Sequence, residues 1–142
     1  MIVYVDTSFQ IAMYVADVHS PAAVSRMAKL PEIHLTPFSR CEVANAIHGQ
    51  AFIGRLSSSQ AQMAWKSFES DCAAGVWQSA PFPNRAWETC VDLARKHGPS
   101  LGVRTLDSLH VTCALELKAQ KFWTFDDRQA RLAEAVGLDT TA

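Results

Sequence analysis

The fold is decided by Ile2-Val3-Tyr4-Val5-Asp6-Thr7-Ser8, where a short apolar run stops at one carboxylate followed by two hydroxyls. The run is β-branched and aromatic without a polar interruption, which is typical of a strand covered on both faces in a parallel sheet. Ligands of open α/β sheets bind beyond the carboxyl ends of the strands, so Asp6 is predicted to face a site. Asp6 could equally be the N-cap of a helix that begins near Thr7, because Asp is a common capping residue.

Apolar strands alternate with helices along the rest of the chain. Further strands are predicted at 34–36, 76–77 and 121–125. Helical spacing, caps and breaking residues predict helices over about 7–16, 20–30, 39–52, 57–75, 83–96, 106–118 and 128–136. Gly98-Pro99 is expected to stop the fifth of them. The alternation indicates parallel crossovers and a three-layer α/β/α sandwich with a mainly parallel sheet of four to five strands, in a single domain over 1–142.

The composition narrows the class of protein. Of 142 residues, 49% are hydrophobic and 19% charged, as in a globular domain, and no apolar run approaches the ~20 residues of a membrane span. We expect a cytoplasmic protein that does not contact a membrane. The net charge of −1 offers no strongly basic surface, so a nucleic-acid partner would have to contact a local patch. The four cysteines are widely spaced and form no C-x-x-C pair, which argues against zinc and redox motifs.

Four carboxylates are predicted to share one edge of the sheet. Asp6 and Asp126 each end a hydrophobic strand, whereas Glu42 and Asp107 fall in predicted first turns of helices. Acids in first turns are stabilised by the helix dipole, and that simpler explanation requires no convergence. If the four do converge, their charge demands a cation, and ligation by oxygen alone selects Mg²⁺ or Mn²⁺ over zinc. Such an ion can activate water and neutralise charge on a phosphodiester, which is nuclease chemistry.

Neutral polar residues adjoin these acids. Ser8, Thr7, Asn45 and Thr124 are suited to orienting carboxylates or metal-bound water, although capping or core roles explain each of them as well. Asp127 could replace Asp126 as the fourth acid, but its position suits the N-cap of the last helix better.

Other polar residues near the acids have simpler interpretations. His110 falls three residues after Asp107, but no second His or Cys lies at ligand spacing, so we interpret it as a packed or solvated side chain. Arg40, Arg104 and Arg128 each stand near an acid. An arginine there can pair with that acid or hold an RNA phosphate, and pairing is the simpler expectation.

Four segments together resemble the four acidic motifs of PIN-domain ribonucleases, and among these the VapC-type toxins of toxin–antitoxin pairs. The segments are 5–8, 41–46, 104–110 and 124–126, and they span nearly the whole chain in order and spacing. The resemblance implies a Mg²⁺- or Mn²⁺-dependent endoribonuclease that cuts structured RNA such as tRNA or rRNA. It also implies inhibition by a cognate antitoxin protein and a homodimer.

The resemblance carries roles onto individual residues. The catalytic acids would be Asp6, Glu42, Asp107 and Asp126, with Ser8 and Thr124 as supporting hydroxyls. Asp6 and Asp107 are expected to bind the metal ion directly, and Glu42 and Asp126 directly or through water.

Two other functions remain as alternatives. One is a Mg²⁺-dependent phosphohydrolase of another doubly wound fold, such as a haloacid-dehalogenase-like phosphatase, which requires a second Asp two residues after the first. Ser8 stands at that position and argues against it. The other is a non-catalytic PIN-like domain that binds a partner.

Overall fold

A computed structural model describes residues 1–142 and contains a four-stranded, fully parallel sheet. The strands are β1 (Ile2–Val5), β2 (Glu32–Leu35), β3 (Gln78–Ser79) and β4 (Lys121–Trp123), in the order β3-β2-β1-β4. Strand β1 is central, as its apolar sequence predicts. It pairs with β4 through Tyr4 and Phe122 and with β2 through Val3 and Ile33.

Seven helices cover the two faces of the sheet. They are α1 (Thr7–Tyr14), α2 (Ser20–Met27), α3 (Pro37–Phe52), α4 (Ser58–Ala73), α5 (Ala86–Leu101), α6 (Thr105–Glu116) and α7 (Asp127–Ala135). None of them is long and apolar enough to cross a membrane.

The helices form two layers because side chains alternate along the strands. Val3 and Val5 belong to one buried core, which α1 to α4 complete with residues such as Phe9 and Phe68. Tyr4 points to the opposite core, where α5 to α7 contribute residues such as Leu132. The predicted three-layer α/β/α sandwich is confirmed.

Three strands differ from the prediction, and β2 spans Glu32–Leu35 rather than 34–36. The third lies at Gln78–Ser79 rather than at 76–77, because Trp77 is 1% exposed and packs into the core beside the sheet. The fourth ends at Trp123 instead of Phe125, since the Phe125 N–H donates to Ser8 Oγ at 2.9 Å rather than to a neighbouring strand.

Several helix boundaries also differ: α1 ends at Tyr14 rather than at 16, α2 ends at Met27 rather than at 30, and α5 begins at Ala86 rather than at 83. Helix α5 continues through Pro99 to Leu101 and ends at Gly102, whose φ of +62° suits glycine. Pro99 is tolerated there because it removes a single hydrogen bond in the last turn. Helix α3 begins at Pro37 after the N-cap Thr36, so Glu42 lies in its second turn and not in its first.

The N-cap of α3, the helix that carries Glu42, yields a test of what stabilises the start of this helix. Thr36 Oγ1 accepts the Ser39 N–H at 3.2 Å, whereas the equally buried Thr112 hydroxyl has no hydrogen-bond partner. We expect Thr36→Val to lower the free energy of unfolding by about 1–2 kcal/mol, as for other lost N-caps. The control Thr112→Val should be neutral or stabilising, because it removes an unsatisfied buried group. Urea denaturation measures both, and equal losses would contradict the capping role.

Candidate active site

Asp6 lies at the carboxyl end of β1 and is 2% exposed. Its Oδ1 accepts hydrogen bonds from Ser8 Oγ at 2.7 Å and from the Phe9 N–H at 3.1 Å, and Oδ2 accepts one from Thr124 Oγ1 at 2.6 Å. The bond from Phe9 makes Asp6 the N-cap of α1, so the capping interpretation is correct. It does not exclude that Asp6 also faces a ligand site. Burial raises the pKa of Asp6, while the nearby His110 and these hydrogen bonds oppose that rise.

The two hydroxyls beside Asp6 also join β1 to the end of β4. Ser8 Oγ accepts the Phe125 N–H at 2.9 Å, and Thr124 Oγ1 accepts the Asp126 N–H at 2.9 Å. Each hydroxyl thus donates to the Asp6 carboxylate and accepts from the backbone that follows β4. The ends of two neighbouring parallel strands are held together around one carboxylate.

Asp126 is the N-cap of α7, contrary to the expectation that Asp127 takes this position. Asp126 Oδ1 accepts the Arg128 N–H at 2.8 Å and the Gln129 N–H at 3.4 Å. Asp127 is the first residue of the helix and its side chain is exposed. The backbone bond to Thr124 links Asp126, and not Asp127, to the surroundings of Asp6.

Asp107 lies in the first turn of α6, as predicted, with 11% of its side chain exposed. Its Oδ2 accepts a hydrogen bond from Arg104 Nε at 2.8 Å, and Gln129 Nε2 approaches Oδ1 at 3.4 Å. Arg104 Nη2 also lies 3.8 Å from Asp126 Oδ2. The guanidinium therefore connects the third and fourth acids, which confirms the expected pairing of Arg104 with an acid.

Glu42 reaches the site from α3 and contacts two residues of the other elements. Its Oε1 accepts a hydrogen bond from His110 Nε2 at 2.6 Å and one from Thr7 Oγ1 at 3.1 Å. The bond from His110 is the main reason that the pKa of Glu42 is lowered. Thr7 follows Asp6 in the chain, so Glu42 is hydrogen-bonded to the residue next to the first acid.

His110 is the residue that sequence reasoning missed. Its ring is 1% exposed, and Nδ1 lies 2.9 Å from the hydroxyl of Tyr4, which in turn lies 3.1 Å from Ser39 Oγ. One hydrogen-bond assignment satisfies the ring when Nε2–H donates to Glu42 and Nδ1 accepts from Tyr4. The available signal was the spacing of three residues from Asp107, which puts both side chains on the inner face of α6.

Asn45 differs from the other predicted supporting residues. Its amide is exposed, and the structure places it in a groove of about 590 Å³ beside Glu42 rather than in hydrogen bonds to the acids. The lining of this groove is Phe38, Cys41, Glu42, Ala44, Asn45, His48 and Leu106. Ser8 and Thr124 donate to Asp6, whereas Asn45 makes no hydrogen bond to any of the four acids.

The donor set fits a hydrated hard cation. All four acids offer oxygen, which Mg²⁺ and Mn²⁺ prefer, and the buried Oε1 of Gln129 beside Asp107 lacks a hydrogen-bond partner. A cationic guanidinium already pairs with two of the carboxylates. No three His, Cys, Asp or Glu side chains lie close enough together to form a ligand group as they stand. Binding would therefore work through waters or through small side-chain movements, which suits the reluctance of Mg²⁺ to dehydrate.

The burial of the Asp6 carboxylate is expected to lower the stability of the folded protein. Because burial raises its pKa, the charged carboxylate destabilises the folded protein above that pKa. We expect Asp6→Asn, without divalent ions at pH 7, to raise the free energy of unfolding by about 1 kcal/mol, the scale of an ordinary single substitution. The gain should shrink as the pH falls through the folded-state pKa and vanish below the ordinary value of 3.8.

The matched control for this measurement is Asp127→Asn, which changes an exposed carboxylate nearby and should leave the stability unchanged. Urea denaturation between pH 3 and pH 7 would follow both variants. If Asp6→Asn is less stable than the parent protein at pH 7, the hydrogen bonds from Ser8 and Thr124 outweigh the desolvation.

Solved structures of low sequence identity share the fold. VapC20 of Mycobacterium tuberculosis, described as a sarcin–ricin loop cleaving toxin, is 16% identical with a TM-score of 0.73 over 98% of both chains. FitAcB from Neisseria gonorrhoeae is 12% identical with a TM-score of 0.72, over 99% of this chain and 96% of the other. PAE2754 from Pyrobaculum aerophilum is 17% identical with a TM-score of 0.61, over 94% and 90%.

At these identities the likeness to solved structures concerns the fold alone. No curated protein matches the sequence. The sequence itself matches the family model of the PIN domain over residues 3–135, which includes all four acids. The chain belongs to the PIN domain family.

Proposed function

We propose that this chain is a Mg²⁺- or Mn²⁺-dependent endoribonuclease, the toxin of a toxin–antitoxin pair, which cleaves structured RNA such as tRNA or rRNA. PIN domains are generally nucleases. The observation that carries the proposal is that polar contacts link the acids. Thr124 contacts Asp6 and Asp126, Arg104 contacts Asp107 and Asp126, and Glu42 accepts a hydrogen bond from Thr7, the residue after Asp6. The description of VapC20 as a sarcin–ricin loop cleaving toxin supports the choice of substrate class.

The four acids are proposed as the metal site. Asp6 and Asp107 would bind the ion directly, and Glu42 and Asp126 directly or through water. When bound, the ion supplies an activated water and neutralises charge that builds on the phosphodiester. The hydroxyls of Ser8 and Thr124 fix both oxygens of the Asp6 carboxylate, so that its orientation does not depend on the ligand.

His110 and Tyr4 are proposed to position Glu42. The short bond from His110 Nε2 keeps Glu42 ionised, and the Tyr4 hydroxyl fixes the tautomer by occupying Nδ1. This arrangement resembles the outer partners that orient ligands in other metal sites. It leaves Glu42 Oε2 free to accept a hydrogen bond from water or to bind the ion.

RNA would be held at a local patch, since the chain has a net charge of −1. Arg128 lies two residues after Asp126, is exposed and pairs with no acid, so its guanidinium is available to a phosphate. The groove of about 590 Å³ beside Glu42 offers the ring of Phe38 and the amide of Asn45, groups that suit a nucleobase next to the cleaved bond.

The alternatives have less support. A haloacid-dehalogenase-like phosphatase would need a carboxylate where Ser8 instead donates to Asp6, and the family match lies elsewhere. A non-catalytic domain that only binds a partner would not require Asp6, Asp107 and Asp126 to be linked through Thr124 and Arg104.

Neighbouring carboxylates give a matched test of the nuclease proposal. We expect Asp126→Asn to slow Mn²⁺-dependent cleavage of a tRNA and rRNA mixture by about 100-fold or more, because even the partners of metal ligands contribute 10–100-fold. Asp127→Asn, which removes the same charge one residue away, should stay within about twofold of the parent protein. Gel analysis of the RNA with and without EDTA measures both rates. Absence of metal-dependent cleavage by the parent protein would favour the non-catalytic alternative.

The partners are part of the same proposal: a cognate antitoxin protein and a second copy of the chain. Several large apolar side chains, among them Phe52 at 93% and Leu30 at 89% exposed, are available for contact with other proteins. We expect light scattering coupled to gel filtration to give twice the chain mass of 15.6 kDa. A mass of one chain at micromolar concentration would contradict the homodimer while leaving the nuclease assignment intact.

A further inference from the structure

Arg104 is the only Lys or Arg that forms an ion pair with any of the four acids, and it contacts two of them. It is the residue immediately before α6, with an extended backbone, and makes no capping hydrogen bond. Its Nε lies 2.8 Å from Asp107 Oδ2, and Nη2 lies 3.5 Å from Asp107 Oδ1 and 3.8 Å from Asp126 Oδ2. The guanidinium therefore engages both oxygens of one acid and one oxygen of another.

These contacts place a positive charge where a divalent ion would need the same oxygens. A guanidinium bound to both oxygens of Asp107 shields the lone pairs that a direct ligand must present. A dication brought beside the guanidinium would also be repelled by it. The two cations therefore compete for Asp107 and Asp126.

The Arg104 side chain can move away from the two carboxylates. It is 61% exposed, and its only polar partners are the two carboxylates. Movement into solvent would break no other hydrogen bond or ion pair. The pairing itself is an exposed one, of the kind that contributes up to about 1 kcal/mol.

We propose that Arg104 is an internal counter-ion of the site, which neutralises Asp107 and Asp126 in the metal-free protein and is displaced from them when a divalent ion binds. Arg104 thereby weakens metal binding, although it lies beside the acids that hold the ion. It acts as a counter-ion of the carboxylates and not as a ligand of the metal. The inference rests on the proposed function only in taking the four acids as a metal site.

The test is metal binding without RNA. Titration of the full chain with Mn²⁺, with free Mn²⁺ followed by electron paramagnetic resonance, should show that Arg104→Gln binds the ion about 3–5-fold more tightly, the fold-change that corresponds to an exposed pair of up to about 1 kcal/mol. Arg104→Lys, which keeps the charge, should stay closer to the parent protein. The control Arg55→Gln removes the same charge from an exposed position after α3, outside the site, and should change the affinity less than twofold.

The outcomes separate this inference from the nuclease proposal. If Arg104 instead held Asp107 in place for the ion, Arg104→Gln would bind Mn²⁺ more weakly, and that result, or an unchanged affinity, would overturn the competition. Absence of Mn²⁺ binding by both the parent and Arg104→Gln would overturn it as well. Tighter binding by Arg104→Gln without any RNA cleavage would support the counter-ion and reject the nuclease. Circular dichroism of each variant checks that the fold is retained.

Discussion

The site depends on one buried charge, the carboxylate of Asp6 at the end of the central strand. Removal of this group from water is unfavourable unless its oxygens are satisfied, and Ser8, Thr124 and the Phe9 N–H supply the partners. Two of these partners also bind the backbone after β4. Satisfying one carboxylate thus fixes the start of α1 and the approach of β4, and it sets the position of Asp126.

Local sequence signals predicted most of the fold. The apolar β1 run and the spacing of α6 are features of neighbouring residues, so the layers and the parallel sheet followed from them, whereas the boundaries at Pro37 and Gly102 did not. The third strand was misplaced because Trp77 reads equally well as a strand residue or as a core residue outside a strand. Only its packing against the other elements decides between these two readings.

Asp6, Asp107 and Asp126 could be singled out because each stands at a strand end or in the first turn of a helix, whereas Glu42 lies in the second turn of α3. The side chains that contact these acids could not be predicted. His110 lies 106 residues from Tyr4 and 68 from Glu42, so its role arises from packing between α6, β1 and α3. Arg104 was expected to pair with an acid, yet its contact with a second one depends on where α7 begins. Asp126 and Asp127 are indistinguishable by composition, and the cap geometry alone separates them.

The two apolar cores meet the site from opposite faces of the sheet. Helices α1 and α3, which carry the first two acids or adjoin them, belong to one layer, whereas α6 and α7 of the other layer carry or follow Asp107 and Asp126. A ligand that contacts all four acids would therefore link the two helical layers. Local unfolding of either layer would remove two of the four acids from the ligand. Occupancy of the site by a ligand and the cooperativity of unfolding are therefore coupled in this domain.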